Sequence, residues 1–400
     1  MRKAFSILLS VVFSVSASAQ LWERLTDTPV RIDTNEVQTL RLEVDNISFF
    51  RDNEYKSKLT KGYSLPGLWV RPTLQYTPHK AIRLEAGFHA LVFNGANKYP
   101  CYAYHDIGTW KGDQYQSGAH ILPWFRSQVE LGCVDLVFGN IYGGELHQLM
   151  TPLWNSETNL SQDPEMGIQV RWANRFLQSD TWLNWQSYIF EEDTHQEAFT
   201  IGSSWRFLLN NPEASTHWYV PLQIVAQHRG GEQDTTHLGT QTLTNFAAGI
   251  GMKQRIRSQW LKQISAEVDA LASWQMKGHQ WPFTKGFAVH GAVEARLWDA
   301  LNVKIGHFAA PTNFVSLYGS PFFTTVSQRE NGYAYDGLQT TYARIDYHYT
   351  IASHYTIGAD FEVQHSWLGD SPAGKRNETN FSFGVYLRAN PSFLLKRFRR

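Results

Sequence analysis

The sequence predicts an all-β protein: a transmembrane antiparallel up-and-down β-barrel of about 16 strands, with roughly 14–18 compatible. Three observations predict it. The chain opens with an export signal, apolar residues recur at every second position, and the connections alternate between long and short.

Arg2 and Lys3 start the chain, and Ala4 to Val15 is almost wholly apolar or Ser. Ala17-Ser18-Ala19 ends this stretch with small residues. That layout predicts a cleavable secretory signal over 1–19, with Gln20 as the mature start. The stretch is too short to span a bilayer as a helix, and no Cys follows it to carry a lipid. After it the sequence predicts a periplasmic N-terminal segment over 20–36, the barrel over 37–389 and a basic tail over 390–400.

Composition fits a barrel better than a set of soluble domains. Aromatics make up 14% of the chain, with 15 Trp, 18 Tyr and 24 Phe, yet mean hydropathy is negative. Apolar side chains must therefore alternate with polar ones instead of forming blocks. Beyond the signal no apolar run approaches the roughly 18 residues of a membrane helix. The 36 basic and 36 acidic residues cancel, which gives no support to a nucleic-acid partner or a general ion trap.

The alternation is clearest in Ala81–Phe93. Ile82, Leu84, Ala86, Phe88, Ala90 and Val92 form one face, and Arg83, Glu85, Gly87 and His89 begin the other. Successive side chains of a strand point to opposite faces, so one face is apolar and one polar over about ten residues. The same reading places strands near 37–49, 67–77, 81–93, 120–131, 134–142, 165–174, 180–190 and 197–209. Further strands fall near 216–229, 242–257, 260–275, 285–298, 301–310, 336–350, 354–366 and 379–389. Pro72, Pro123 and Pro221 lie inside these strands, where each removes a ladder donor and predicts a bulge or an edge.

Long connections at 94–119, 143–164, 230–241, 276–285, 311–335 and 368–379 alternate with short ones at 77–80, 132–133, 257–259, 298–301 and 351–354. A transmembrane barrel sorts its loops this way, with short periplasmic turns, long outer loops and both termini inside. Trp69, Trp124, Trp172, Trp205, Trp218, Trp260, Trp274, Trp281, Trp298 and Trp367 fall near strand ends, as aromatic girdles require. Trp182, Trp185, Tyr188, Trp205 and Phe207 gather around one hairpin; a girdle explains them more simply than a sugar-stacking track. Cys101 falls in an outer loop and Cys133 in a periplasmic turn. A disulfide needs Cα atoms within about 7 Å, and the lipid band is about 25 Å tall, so no bridge is expected.

Two groups of residues are candidates for function. Arg83, Glu85, Arg171, Arg206, Glu294, Arg296, Arg344, Asp346, Asp360 and Glu362 carry the lumen parity. Charges of both signs there suit either the wall of a water-filled pore or a stiffening ion-pair network; a strongly selective channel would carry an excess of one sign. The segment 138–169 holds Glu145, His147, Asn155, Glu157, Asp163 and Glu165 beside Gly143-Gly144. It fits a constriction loop folded into a pore. It also fits an ordered outer loop that satisfies its own backbone, which is the simpler expectation. No pair has metal-ligand spacing, and no GxSxG, HExxH, P-loop or GxGxxG frame occurs, so no metal, cofactor or catalytic residue is expected.

Export, parity-sorted loops and a closing strand reading FSFGVYLRAN together resemble Gram-negative outer-membrane β-barrel proteins of the porin-like kind. The resemblance covers the mature chain and is architectural. It departs at the end: such barrels commonly finish on an aromatic residue that the insertion machinery reads, whereas 390–400 follow the last strand here, with Phe393 the nearest candidate. The resemblance implies a channel for small hydrophilic solutes, with outer-membrane lipids as surroundings. The alternatives are a non-channel barrel acting as scaffold or partner in a surface or secretion complex and, less favoured, an outer-membrane hydrolase. Nothing in the sequence sets an oligomeric state.

Overall fold

The computed structural model describes residues 30–398 apart from 95–99, 113–117, 191–192, 232–234, 331 and 370–375. The signal read over 1–19 lies outside the described residues. The strands, in chain order, are β1 (Thr39–Lys56), β2 (Lys61–His79), β3 (Ile82–Phe93), β4 (Ala119–Leu131), β5 (Val134–Asn140) and β6 (Met166–Ala173). They continue as β7 (Leu177–Ser187), β8 (Ala198–Leu208), β9 (Thr216–Arg229), β10 (Gln241–Arg255), β11 (Leu261–Lys277) and β12 (Lys285–Leu297). The last are β13 (Leu301–Ala310), β14 (Leu338–Ala352), β15 (Tyr355–Leu368), β16 (Arg376–Ala389) and β17 (Ser392–Arg397).

From β1 to β16 each strand pairs antiparallel with the next, and β1 closes the sheet. Its upper part, Asn46–Glu54, pairs with β16, and its lower part, Thr39–Glu43, pairs with β17. β16 and β17 are therefore one wall strand broken at Asn390-Pro391. The Pro391 carbonyl still accepts from Val44 N at 3.0 Å, so pairing resumes after the break. The barrel has sixteen staves, and the segment read as a basic tail forms the foot of the last one. The pairing runs all the way round the barrel, as a spanning sheet requires, and above Arg126 the Ala119–Phe125 part of β4 pairs with β3 alone.

Parity sets the two faces. Leu84, Phe88 and Val92 point outward, exposed by 40–50%, while Arg83 and His89 of the same strand are 3–4% exposed inside. Apolar side chains outside and polar ones within invert the soluble pattern. The prolines act differently: at Pro72 and Pro221 the β2–β3 and β9–β10 ladders are interrupted but resume in the same register, so no bulge forms, whereas Pro123 lies where β4 pairs with β3 alone, the expected edge. The girdle reading holds for Trp172, Trp218, Trp260, Trp298 and Trp367, which are exposed. It fails for Trp69, Trp124 and Trp281, which are buried. Trp69 and Trp124 share the parity of Arg71 and Arg126, so their rings must enter the lumen. Trp182 is likewise buried inside, while Trp185 stacks with Tyr188 and Phe199; the five aromatics do not form one track.

The core of the molecule sits inside the barrel. Three long connections, at 100–111, 141–165 and 311–337, pack on one another within the loop-end half. Ala103 N donates to Leu317 O at 2.8 Å, and Asn155 N to Tyr318 O at 2.8 Å. Tyr104, Trp110, Trp154, Leu317 and Tyr318 belong to one buried apolar cluster. Met150, Leu153, Phe314, Phe322 and Phe323 belong to a second. Among the described residues no helix is long and apolar enough to cross a membrane; the strands cross instead. Cys101 is buried in the first cluster and Cys133 is exposed in the β4–β5 turn, both as free thiols.

Candidate functional site

The connection 141–165 crosses the lumen as a strap instead of standing outside as an ordered loop. Short turns at Gly144–His147, Thr151–Leu153 and Thr158–Ser161 shape it. Gly144 has φ 64°, and a Cβ there would lie 2.3 Å from Asn159 Oδ1. The left-handed backbone favours glycine here, and a side chain would push Asn159 aside.

Wall side chains pin the strap along its length. At one end, His147 Nδ1 lies 2.8 Å from Asp180 Oδ2 on β7, and Nε2 lies 3.1 Å from Glu165 Oε2. Its ring stacks on Trp182 with centroids 3.6 Å apart. Burial alone would lower the pKa of His147, but the Glu165 and Asp180 carboxylates outweigh it and raise the value to about 9. The ring is therefore charged at neutral pH. In the middle, Met150 N donates to Gln223 Oε1 at 2.9 Å, and Lys304 Nζ donates to Thr151 Oγ1 at 2.6 Å. Arg344 Nη1 donates to Ser156 Oγ at 2.9 Å. At the far end, Glu157 accepts from Arg51 Nε at 2.8 Å and from Tyr63 Oη at 2.5 Å. Arg51 is shared with Asp360 at 2.8 Å, and Tyr386 Oη also donates to Asp360. Removing one partner of such a buried pair strands the other charge, at a cost of about 3–5 kcal/mol, so these contacts hold the strap in register.

Below the strap, on the side of the short turns, lies a polar cavity of about 630 Å³. The strap roofs it from Glu145 to Ser156. Of the residues predicted for the lumen, Arg206, Glu294, Arg296, Arg344, Asp346 and Glu362 line this cavity, and Glu145 joins them from above. Asp360 is instead tied up with Arg51. Arg83 and Glu85 face the opposite wall: Arg83 bonds Gln128 at 2.8 Å and Tyr142, while Glu85 accepts from Trp124 Nε1 at 3.2 Å. Arg171 lies 5.5 Å from the Tyr142 ring. Among the strap candidates, Asn155 bonds Pro100 O at 2.8 Å, and Asp163 lies 3.0 Å from His120. A second, smaller cavity of about 120 Å³ lies on the other side of the strap, against Trp69, Arg71, Trp124 and Arg126.

Sequence reasoning missed Arg51, Tyr63, Tyr386, Lys304 and Trp154. It also missed a buried chain at the edge of the larger cavity: His290 bonds Asp269 at 2.9 Å on one side and Tyr342 Oη at 2.9 Å on the other. The Tyr342 ring lies over Gly306, where a Cβ would come within 2.4 Å of it. Inward parity was the available signal, since Tyr342 and Asp346 share the face of Arg344. Among the described residues no group of His, Cys, Asp and Glu is placed to hold a metal ion.

Comparison with known proteins bears on both fold and family. The family model described as Lipid A 3'-O-deacylase-type matches residues 32–398. No curated protein matches the chain. Among solved structures, Pseudomonas aeruginosa OccK2 (OpdF) is similar at 9% identity and TM-score 0.50, covering 90% of this chain and 99% of that one. The outer membrane protein OprD of Pseudomonas aeruginosa is similar at 10% identity and TM-score 0.46, covering 90% and 95%. At such identity the likeness concerns the fold alone: a closed antiparallel barrel of the outer-membrane kind.

Proposed function

The chain belongs to the Lipid A 3'-O-deacylase-type family, and we propose that within this outer-membrane group it serves as a strap-constricted channel for small hydrophilic solutes. The observation that carries this reading is the polar cavity under the strap. Sixteen strands enclose more space than their own side chains fill, and the cavity keeps about 630 Å³ of it lined by charges of both signs. A barrel built only as a scaffold has no use for a charged hollow, because interior space left unfilled forfeits packing. Constriction falls where the strap crosses. The mixed lining suits polar solutes without strong selection for charge. Planar-bilayer recording on the refolded full-length protein tests the proposal. Stable single-channel steps are expected, and a silent but properly folded barrel overturns it.

The family match favours a second reading, an ester hydrolase acting on lipid A. The Asp269–His290–Tyr342 chain is the arrangement that suits it best, because a His oriented by a carboxylate is able to take a proton from a neighbouring hydroxyl. Mass spectrometry of lipid A incubated with the protein separates the two readings. Loss of one acyl chain that disappears in His290→Gln supports hydrolysis, and unchanged lipid A removes it.

A further inference from the structure

Trp154 stands where the open spaces of the lumen meet. It lines the cavity of about 630 Å³ on the turn side and the cavity of about 120 Å³ on the other side of the strap. It also lines a gap of about 10 Å³ beside His147 and Trp182. Among the described residues no other lines all three. Its backbone is extended (φ −140°, ψ 127°), immediately after the Thr151–Leu153 turn, so its ring projects from the strap between two pinned positions, Thr151 and Glu157. The residue is 9% exposed, and its indole N–H is buried with no hydrogen-bond acceptor among the described residues. A buried donor without a partner costs about 1–3 kcal/mol and calls for a reason. The strap on either side is tied by charge and hydrogen bonds, whereas Trp154 is held by packing alone, with the Tyr318 ring 6.3 Å away.

We propose that Trp154 is the gate of the lumen: its indole is the partition between the two cavities, and a solute passes when the ring turns aside. This deepens the channel reading above and rests on it. The strap then works as a fixed frame carrying one movable side chain. The indole N–H, buried at rest, becomes a donor that a passing polar solute is able to use once the ring turns aside. The gate selects by size and polarity, since a ring edge offers one donor and no charge.

The test compares single-channel conductance of the full-length wild type, Trp154→Ala, Trp281→Ala and a variant with residues 144–161 replaced by a short Gly-Ser link. Each is first shown to be folded by its shift in mobility on heating. Trp281 is buried in the same apolar cluster and lines none of these three cavities, so its truncation controls for general loosening of the plug. Expected is a several-fold rise in conductance for Trp154→Ala, with Trp281→Ala as wild type. If only the excised variant conducts more, or if Trp281→Ala rises as much as Trp154→Ala, the gate is overturned while the channel stands. If even the excised barrel is silent, the channel reading falls and takes the gate with it. Should Trp154→Ala not fold, Trp154→Gln, which keeps a polar side chain without the ring, is read in the same way.

Discussion

His147 carries charge against a carboxylate on each ring nitrogen, Asp180 on one side and Glu165 on the other, both in the barrel interior. Its pKa in the folded protein, about 9, lies above the ordinary 6.5. The stability it contributes is therefore complete below about 6.5, declines as pH rises and is gone once pH passes 9. Glu165 runs the other way. The His147 charge holds it below the ordinary 4.5 against the opposing effect of burial. Its contribution is present above that value and is lost as pH falls through the depressed one. The strap should accordingly sit firmly from mildly acid to neutral pH and loosen on the alkaline side. Limited proteolysis across pH 6 to 10, scored by cleavage between β5 and β6, measures this. His147→Ala should expose the strap already at neutral pH, because two buried carboxylates lose their partner at a cost of about 3–5 kcal/mol. The wall, which holds that ring through Asp180 and Trp182 of β7, should keep its heat-dependent mobility. Equal cleavage of wild type and variant at every pH would show that His147 is not an anchor.

The elements differ in how they announce themselves, and the C-terminal strand shows why. β17 closes the barrel against Thr39–Glu43, so truncation after Ala389 leaves one edge of the foot of β1 open while β2 holds the other, and an open backbone row in lipid costs several kcal/mol per group. That truncation should abolish the heat-modifiable folded form, whereas truncation after Phe398 should not; a gel before and after boiling decides. The sequence reading missed this strand because Asn390-Pro391 looks like a terminator and Lys396 and Arg397 look solvated, while the pairing that rescues them comes from β1, hundreds of residues away. The other strands were legible because parity is local: Leu84, Phe88 and Val92 reveal their face without any knowledge of their neighbours. The strap was legible in composition but not in position. Glu145, His147 and Glu157 could be named from sequence, but whether they fold inward depends on Asp180, Gln223, Lys304 and Arg51, which arrive from four separate strands. Trp154 carried no signal at all, since an apolar residue in a long loop reads the same whether it anchors a plug or divides two cavities.

At the scale of the whole molecule, the orientation of the barrel follows from its loops, and the two thiols report on it. Cys133 is exposed in the β4–β5 turn, at the end that holds both described termini. Cys101 lies in the interior plug, where burial pushes its thiol up and out of the reactive range. Short turns face the periplasm in such barrels, so a membrane-impermeant maleimide added to intact cells should label neither residue. Once the outer membrane is permeabilised, Cys133 should react at once, because an exposed thiol meets the reagent directly. Cys101 should remain unlabelled until the protein is boiled, since the plug shields it from both sides. Cys133→Ser then removes the fast signal and Cys101→Ser the slow one, which assigns each. Labelling of Cys133 on intact cells would turn the barrel upside down. Labelling of Cys101 there would mean that the plug opens to the outside at rest, and the strap would no longer be the feature that closes the lumen.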